Sequence, residues 1–282
     1  LLKELNLSTY VALDFETTGL DLNYDKVIEV AAILFKNGEP KKTFSTLINP
    51  QQNISPFITN ITGISNSMVS DAPKEKDIID ELMNILGDHP IVAHNIKFEW
   101  SFIKSLCERY NIDIPKNPLY DTLQLARSVL YDHPVFNLTA LSEFYGQDAS
   151  GSHRAEKDTE NCGLIFLHLL DELMCYNLEE ISSVLSVLDK YEIPNKKLYV
   201  DAANMLLKSG DLKTPLNKRI IDRKLGDSIF SFKGNRNIQN LTASDVFGSE
   251  GVLSKKYKWF EDRANQVEYA NTCDEILSGN NS

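Results

Sequence analysis

Two carboxylates spaced i, i+2 open the chemistry of this chain: Asp14 and Glu16, in the run Tyr10-Val-Ala-Leu-Asp-Phe-Glu-Thr-Thr-Gly19. Residues two apart on an extended strand share a face, so both acids stand side by side where an apolar strand leaves the core. They repel each other, and a strand that buries them needs a compensating cation. An all-oxygen ligand set suits Mg²⁺ or Mn²⁺. The pair alone also reads as a polar strand end entering a glycine turn. Further acids supply partners. Glu99 lies on a helix directly after a short apolar strand, within His94-Asn-Ile-Lys-Phe-Glu99. His153 and Asp158 flank the start of another helix, as His153-Arg-Ala-Glu-Lys-Asp158. His153 falls in a Gly/Ser loop and Asp158 one turn inside the helix, which suits a movable general base beside an anchored metal ligand. Taken singly, Glu99 is a helix carboxylate, His153 a loop histidine and Asp158 a first-turn acid favoured by the helix dipole. His89 and His133 precede prolines and read as turn residues, His168 as packing, and His94 as the residue fixing a strand-to-helix corner.

The elements that must position these groups follow from periodicity. Strands are expected over residues 9–16, 26–35 and 42–48, joined through Asn37-Gly38 into an antiparallel meander. Short helical turns follow over 58–62 and 65–69. Ala72-Pro73 then opens an amphipathic helix with Ile78, Ile79, Leu82, Ile85 and Leu86 on one face, ending at Gly87. A strand over 90–94 leads into a helix over 95–110, and a brief strand over 119–121 into a helix over 122–130. Asn137 caps a helix that Gly146 stops, and the last helix of the unit runs over 154–173. The expected fold class is α/β: a mixed five-stranded sheet flanked by helices, with a mainly helical C-terminal extension.

Composition bounds the function classes. The chain has 282 residues, 42% of them apolar, and no apolar run approaches the roughly 20 residues of a membrane span. Leu1-Leu-Lys-Glu-Leu-Asn is too short and mixed for a signal peptide. Cys107, Cys162, Cys175 and Cys273 are scattered without metal-site spacing and read as reduced packing cysteines of a cytoplasmic protein. Residues 1–175 carry 14 Lys and Arg against 25 Asp and Glu, whereas residues 176–282 carry 15 of each. An acidic domain is no natural sink for polyanions, so charge alone argues against nucleic acid as a partner. The motifs argue the other way.

In their order, the motifs resemble the DEDD-type 3′→5′ exonucleases of the ribonuclease H-like fold, in the branch with a histidine base. The matching pieces are Asp14-Phe-Glu-Thr-Thr-Gly19, His94-Asn-Ile-Lys-Phe-Glu99 and His153-Arg-Ala-Glu-Lys-Asp158, supported by Ile61-Thr-Gly-Ile-Ser65 and Asp121-Thr-Leu-Gln-Leu-Ala-Arg127. The similarity covers roughly residues 8–173 and is close to the proofreading epsilon subunit of bacterial replicative DNA polymerase. It implies two-metal phosphodiester hydrolysis at single-stranded DNA 3′ ends, with Mg²⁺ or Mn²⁺ as the two ions. By that resemblance Asp14, Glu16 and Asp158 hold the first ion, Asp14 bridges to the second, and Glu99 positions the second through water. His153 takes the proton from the attacking water, so activity rises with pH through its titration. Thr17 and Asn95 match positions near the terminal nucleotide. Phe15 and Trp100 offer rings to bases, although core packing accounts for both. The sequence departs from the family at Glu99, where the second motif carries Asp. A Glu is one methylene longer, and a displacement of about 1 Å can cost on the order of 100-fold in rate. RNA stays open as a substrate, because nothing in these motifs reads the 2′-OH.

The expected organisation is an exonuclease domain over 1–175, a helical and basic connector over 176–240, and a helicase-like beginning over 241–282. The last resembles the entry to a DinG-type helicase, through Val246-Phe-Gly-Ser-Glu-Gly-Val-Leu-Ser254 and Glu261, Arg263 and Gln266. The resemblance implies an exonuclease–helicase with the helicase in cis. A polymerase-associated proofreader and an end-binding domain impaired by Glu99 are the alternatives. Residues 211–236 hold seven Lys and Arg against three Asp and could guide a strand.

Overall fold

Strand β1 (Thr9–Thr17) is central because its residues are apolar on both faces: Val11, Leu13 and Phe15 on one, Tyr10 and Ala12 on the other. The computed structural model describes residues 1–130, 133–148, 154–188 and 193–209, with isolated positions between 242 and 271. His153, the basic stretch 211–236 and most of 246–266 lie outside the described residues. β1 pairs antiparallel with β2 (Val27–Lys36), which pairs antiparallel with β3 (Glu39–Leu47). Asn37 and Gly38 both take positive φ, 54° and 86°, as a two-residue hairpin turn requires. The turn returns the chain at once, so β3 begins at Glu39 rather than at residue 42, and Pro40 is accommodated on the outer strand.

Helices α1 (Pro56–Thr62), α2 (Asn66–Val69) and α3 (Glu75–Leu86) lead to β4 (Ile91–Ala93), which lies parallel to β1. Helix α4 (Ile96–Tyr110) carries the chain to β5 (Leu119–Asp121), parallel to β4. The sheet order is β3-β2-β1-β4-β5. α3 and α4 cover the face bearing Val11, Leu13 and Phe15. The opposite face is covered by α5 (Thr122–Val129), α6 (Leu138–Phe144) and α7 (Ala155–Leu173).

α7 approaches the sheet closely at one point. A Cβ on Gly163 would lie 2.3 Å from the Phe35 ring, and that ring is buried and stacked on Tyr10 at 5.0 Å. The Tyr10 hydroxyl donates to the Gly163 carbonyl at 2.9 Å, satisfying a phenol that burial would otherwise penalise. Thr159, one turn earlier, donates to the carbonyl of Ala31 at 3.3 Å.

The chain divides into two compact units, Leu1–Arg223 and Lys224–Ser282. The expected connector 176–240 straddles that division. Its helices α8 (Leu178–Leu188) and α9 (Lys196–Ser209) bury Ile181, Leu198, Tyr199 and Ala202 in the same cluster as Tyr10 and Phe166. In the second unit, amides of Gly248 and Lys255 donate to the carbonyls of Ser244 and Gly251. Among the described residues no helix is long and apolar enough to cross a membrane.

An exposed mid-helix glycine gains about 1 kcal/mol on replacement by alanine. At position 163 the sign reverses: Gly163→Ala is expected to lose roughly 1–3 kcal/mol in urea unfolding, because the methyl overpacks the Tyr10–Phe35 stack.

Candidate active site

Asp14 and Glu16 are on the α7 side of β1, and α7 carries Asp158 back over them. One carboxylate oxygen from each of Asp14, Glu16 and Asp158 lies within 4.8 Å of the others, and all three residues are half-buried. The first of these motifs ends in a locked turn. The Thr17 hydroxyl donates to the Gly19 carbonyl at 2.7 Å, and Thr18 donates to the Asp25 carboxylate at 2.8 Å. Gly19 leaves room for that carboxylate: a Cβ there would sit 2.4 Å from it, so any side chain would displace Asp25. Thr17, expected near the terminal nucleotide, is thus a buried turn residue at the edge of the cluster.

Another carboxylate joins from β2. Glu29 is the register partner of Glu16 across the β1–β2 ladder and is 2% exposed. Its Oε1 accepts from Arg154 Nη2 at 3.1 Å, and its Oε2 accepts from the backbone N–H of Ala155 at 3.2 Å. The carboxylate therefore holds the first turn of α7, where the helix dipole also favours it, and so places Asp158. Sequence reading missed Glu29. Its signal was a lone acid inside the otherwise apolar run from Val27 to Phe35.

Glu99 enters from α4 and is 3% exposed. Its Oε2 is buried with no hydrogen-bond partner among the described residues. The start of α4 is fixed by a chain of polar contacts. Asn95 adopts the left-handed region at φ 76° and donates its backbone N–H to Asp121 Oδ1 at 3.2 Å, leaving its side chain exposed. Asp121 also accepts from the Gln124 amide at 3.1 Å, capping α5. His94 Nδ1 and Thr122 Oγ1 lie 2.9 Å apart, so His94 does hold the strand-to-helix corner. Asn195, fully buried ahead of α9, accepts from the Asp121 N–H at 2.9 Å and donates to its carbonyl at 2.8 Å. No local pattern announces Asn195, because its partner lies 74 residues away. Phe15 packs on the opposite face of the sheet and Trp100 is half-buried.

The electrostatics fit a divalent cation. Burial, then repulsion from Glu99, Glu16 and Asp158, holds the Asp14 carboxyl well above the usual carboxylate range. Glu16 is pushed up to about 7, by burial first and by Glu29 and Asp158 next. Glu99 is raised chiefly by burial. The guanidinium of Arg154 is engaged by Glu29. Three converging oxygens, a buried oxygen without a partner and raised carboxyl groups together make an oxygen-donor site of the kind Mg²⁺ or Mn²⁺ takes.

Comparison with known proteins agrees with this geometry. The sequence matches the exonuclease family profile over residues 11–166, more than half of the chain. It is 37% identical over 199 residues to the DNA polymerase III PolC-type protein of Caldanaerobacter subterraneus subsp. tengcongensis, covering 71% of this chain and 14% of that protein. The chain therefore spans a small part of the relative it matches. Among solved structures, E. coli exonuclease I in complex with a dT13 oligonucleotide aligns with a TM-score of 0.53 at 18% identity, over 62% of this chain and 46% of that one. The nuclease domain of 3′hExo, a DEDDh family member bound to rAMP, aligns with a TM-score of 0.51 at 20% identity, over 58% of this chain and 92% of that one. The fold is the ribonuclease H-like exonuclease fold.

The raised carboxyl groups set a pH dependence. A carboxyl whose pKa is higher folded than unfolded favours the fold while protonated. Its contribution is full below the unfolded value and is lost as pH rises through the folded one. For Glu16 that window runs from its ordinary 4.5 to about 7. In chelator, the melting temperature should therefore fall by several degrees between pH 5 and pH 8, and Asp14→Asn should flatten the slope. Mn²⁺ competes with these protons, so its stabilisation should be larger at pH 8 than at pH 5.5. Thermal melts with and without Mn²⁺ at the two pH values test both.

Proposed function

The chain belongs to the exonuclease family, and we propose that it is a 3′→5′ exonuclease hydrolysing phosphodiester bonds at single-stranded DNA 3′ ends with two Mg²⁺ or Mn²⁺ ions. The observation that carries this reading is the meeting of Asp14, Glu16 and Asp158 within 4.8 Å, beside the buried and unpartnered Glu99 oxygen. Held by these carboxylates, divalent cations supply Lewis-acid stabilisation of the charge developing on the phosphate and the leaving 3′ oxygen.

The remaining work belongs to the chain's own groups. His153, directly before Arg154 in the sequence, takes the proton of the attacking water as general base. The Arg154–Glu29 pair fixes the residue next to it in the chain. The exposed amide of Asn95 and the Thr17 turn flank the position of the terminal nucleotide. Glu99 keeps an oxygen free for ligation, which supports a site that accommodates the longer arm rather than an impaired one.

Two settings suit such a domain. The PolC-type relative supports a polymerase-associated proofreader. Residues 246–266 support an exonuclease joined in cis to a DinG-like helicase, and a phosphate loop encoded downstream would decide for it. In either setting the enzyme works on DNA in the cytoplasm.

The test uses a 5′-labelled single-stranded DNA oligomer with Mn²⁺ or Mg²⁺, beside RNA of equal sequence. A ladder shortening from the 3′ end is expected, faster on DNA, and Asp14→Ala should reduce it at least about 10³-fold. Glu99→Asp should change the rate by less than about tenfold, because misplacement on the scale of one methylene is already absorbed here. A gain of 100-fold or more would identify an impaired site, and DNA that is bound but uncut would leave an end-binding module.

A further inference from the structure

A groove of about 880 Å³ lies within the first unit, outside the carboxylate cluster. One wall is the outer side of α4, which presents Lys97, Trp100 and Lys104 at helical spacing. The opposite wall is the start of α9, with Lys196 and Lys197, and Leu119 of β5 forms part of the floor. Four of its eleven lining residues are lysines and none is acidic, in a chain whose net charge is −11. Lys97 and Lys104 are exposed and make no ion pair among the described residues, whereas Lys197 meets Asp201 at 2.5 Å. The groove thus gathers four lysines on one concave surface of an acidic chain.

Its chemistry is that of a single-stranded polyanion with flat, apolar side groups. Lysine ammonium groups neutralise phosphates, while a half-exposed indole beside Leu119, Pro194 and Val200 offers bases a sequence-tolerant platform. Lys97 to Lys104 spans seven residues, about 10 Å along the helix axis. The groove is built on the same elements that position the site, although it lies on the other side of α4 from Glu99. Lys97 and Glu99 share the first turn of α4, and the floor strand ends at Asp121, the residue that anchors Asn95. Asn195, which clamps Asp121, directly precedes the lysines of the far wall.

We infer that this groove, formed jointly by α4 and α9, binds the single-stranded DNA leading to the 3′ end under cleavage. The inference rests on the exonuclease reading for its ligand, and it assigns binding to α9, outside the residues 11–166 that the family profile matches.

The test separates binding from chemistry. Anisotropy of a labelled 16-nucleotide oligothymidylate is measured in EDTA, on an Asp14→Ala background, across a salt series. The combined substitutions Lys97→Ala, Lys104→Ala and Lys197→Ala should weaken binding roughly tenfold or more and lower the salt slope by about 2. Lysine-to-arginine changes at the same positions should retain both. In a Trp259→Phe background the remaining tryptophan is Trp100, and the oligomer should quench its emission. Unchanged affinity and slope in the alanine variant would overturn the inference. So would equal binding of a 16-residue polyglutamate, which would mark the groove as a docking site for an acidic protein. If the unsubstituted protein in Mn²⁺ fails to cleave while groove binding is intact, that outcome counts against the exonuclease reading alone.

Discussion

Like charge held together at one end of a sheet is the constraint on which this molecule turns. Asp14, Glu16 and Asp158 are drawn toward one point, Glu99 is near enough to raise Asp14, and Glu29 lies in register beside Glu16. Left to themselves such groups separate or take up protons, and the raised carboxyl groups record that tendency. The fold must therefore hold them by interactions that do not involve the carboxylates' own attraction. The β1–β2 ladder fixes Glu16 opposite Glu29. The glycine contact at Gly163, sealed by the Tyr10 hydroxyl, sets how near α7 can come. Glu29, spent on Arg154 and the Ala155 amide, sets where α7 begins.

This arrangement places the cost of preorganisation in the unliganded protein. Strained acids are stabilised elsewhere, through the apolar clusters on both faces of the sheet, and a divalent cation relieves what remains. The thiol of Cys162, one turn after Asp158, lies beneath the cluster, and burial pushes its pKa up, so it stays a neutral packing group there. His94 is depressed by burial and serves the α4 corner as a neutral ring.

What the sequence made legible was local. The i, i+2 acids of β1, the Asn37-Gly38 hairpin, the Asn137 cap and the order of the three motifs each depend on neighbours within a few residues. Glu29, Asn195 and the close approach at Gly163 depend on partners between 74 and 153 residues away along the chain. No periodicity carries that information. The extension shows the same dependence. The amphipathic helices expected after residue 176 are there, and what periodicity does not say is that Leu198, Tyr199 and Ala202 join the core that also holds Tyr10. Charge was likewise sought in the polar run 211–236, whereas the described structure gathers Lys97 and Lys104 with Lys196 and Lys197 from segments about 100 residues apart.

The same helix bears on the conflict between an acidic domain and the polyanionic substrate proposed for it. α4 buries Glu99 on its inner side and exposes Lys97 and Lys104 on its outer side. Two residues apart on a helix, Lys97 and Glu99 point in nearly opposite directions, so metal-seeking and phosphate-seeking charge sit on one turn without neutralising each other. For the DNA substrate proposed above, an overall negative field then costs little in binding: it repels DNA from most of the surface, and the lysine groove beside α4 attracts it. For such a substrate the relevant quantity is the sign of the charge along the groove rather than the net charge of the domain.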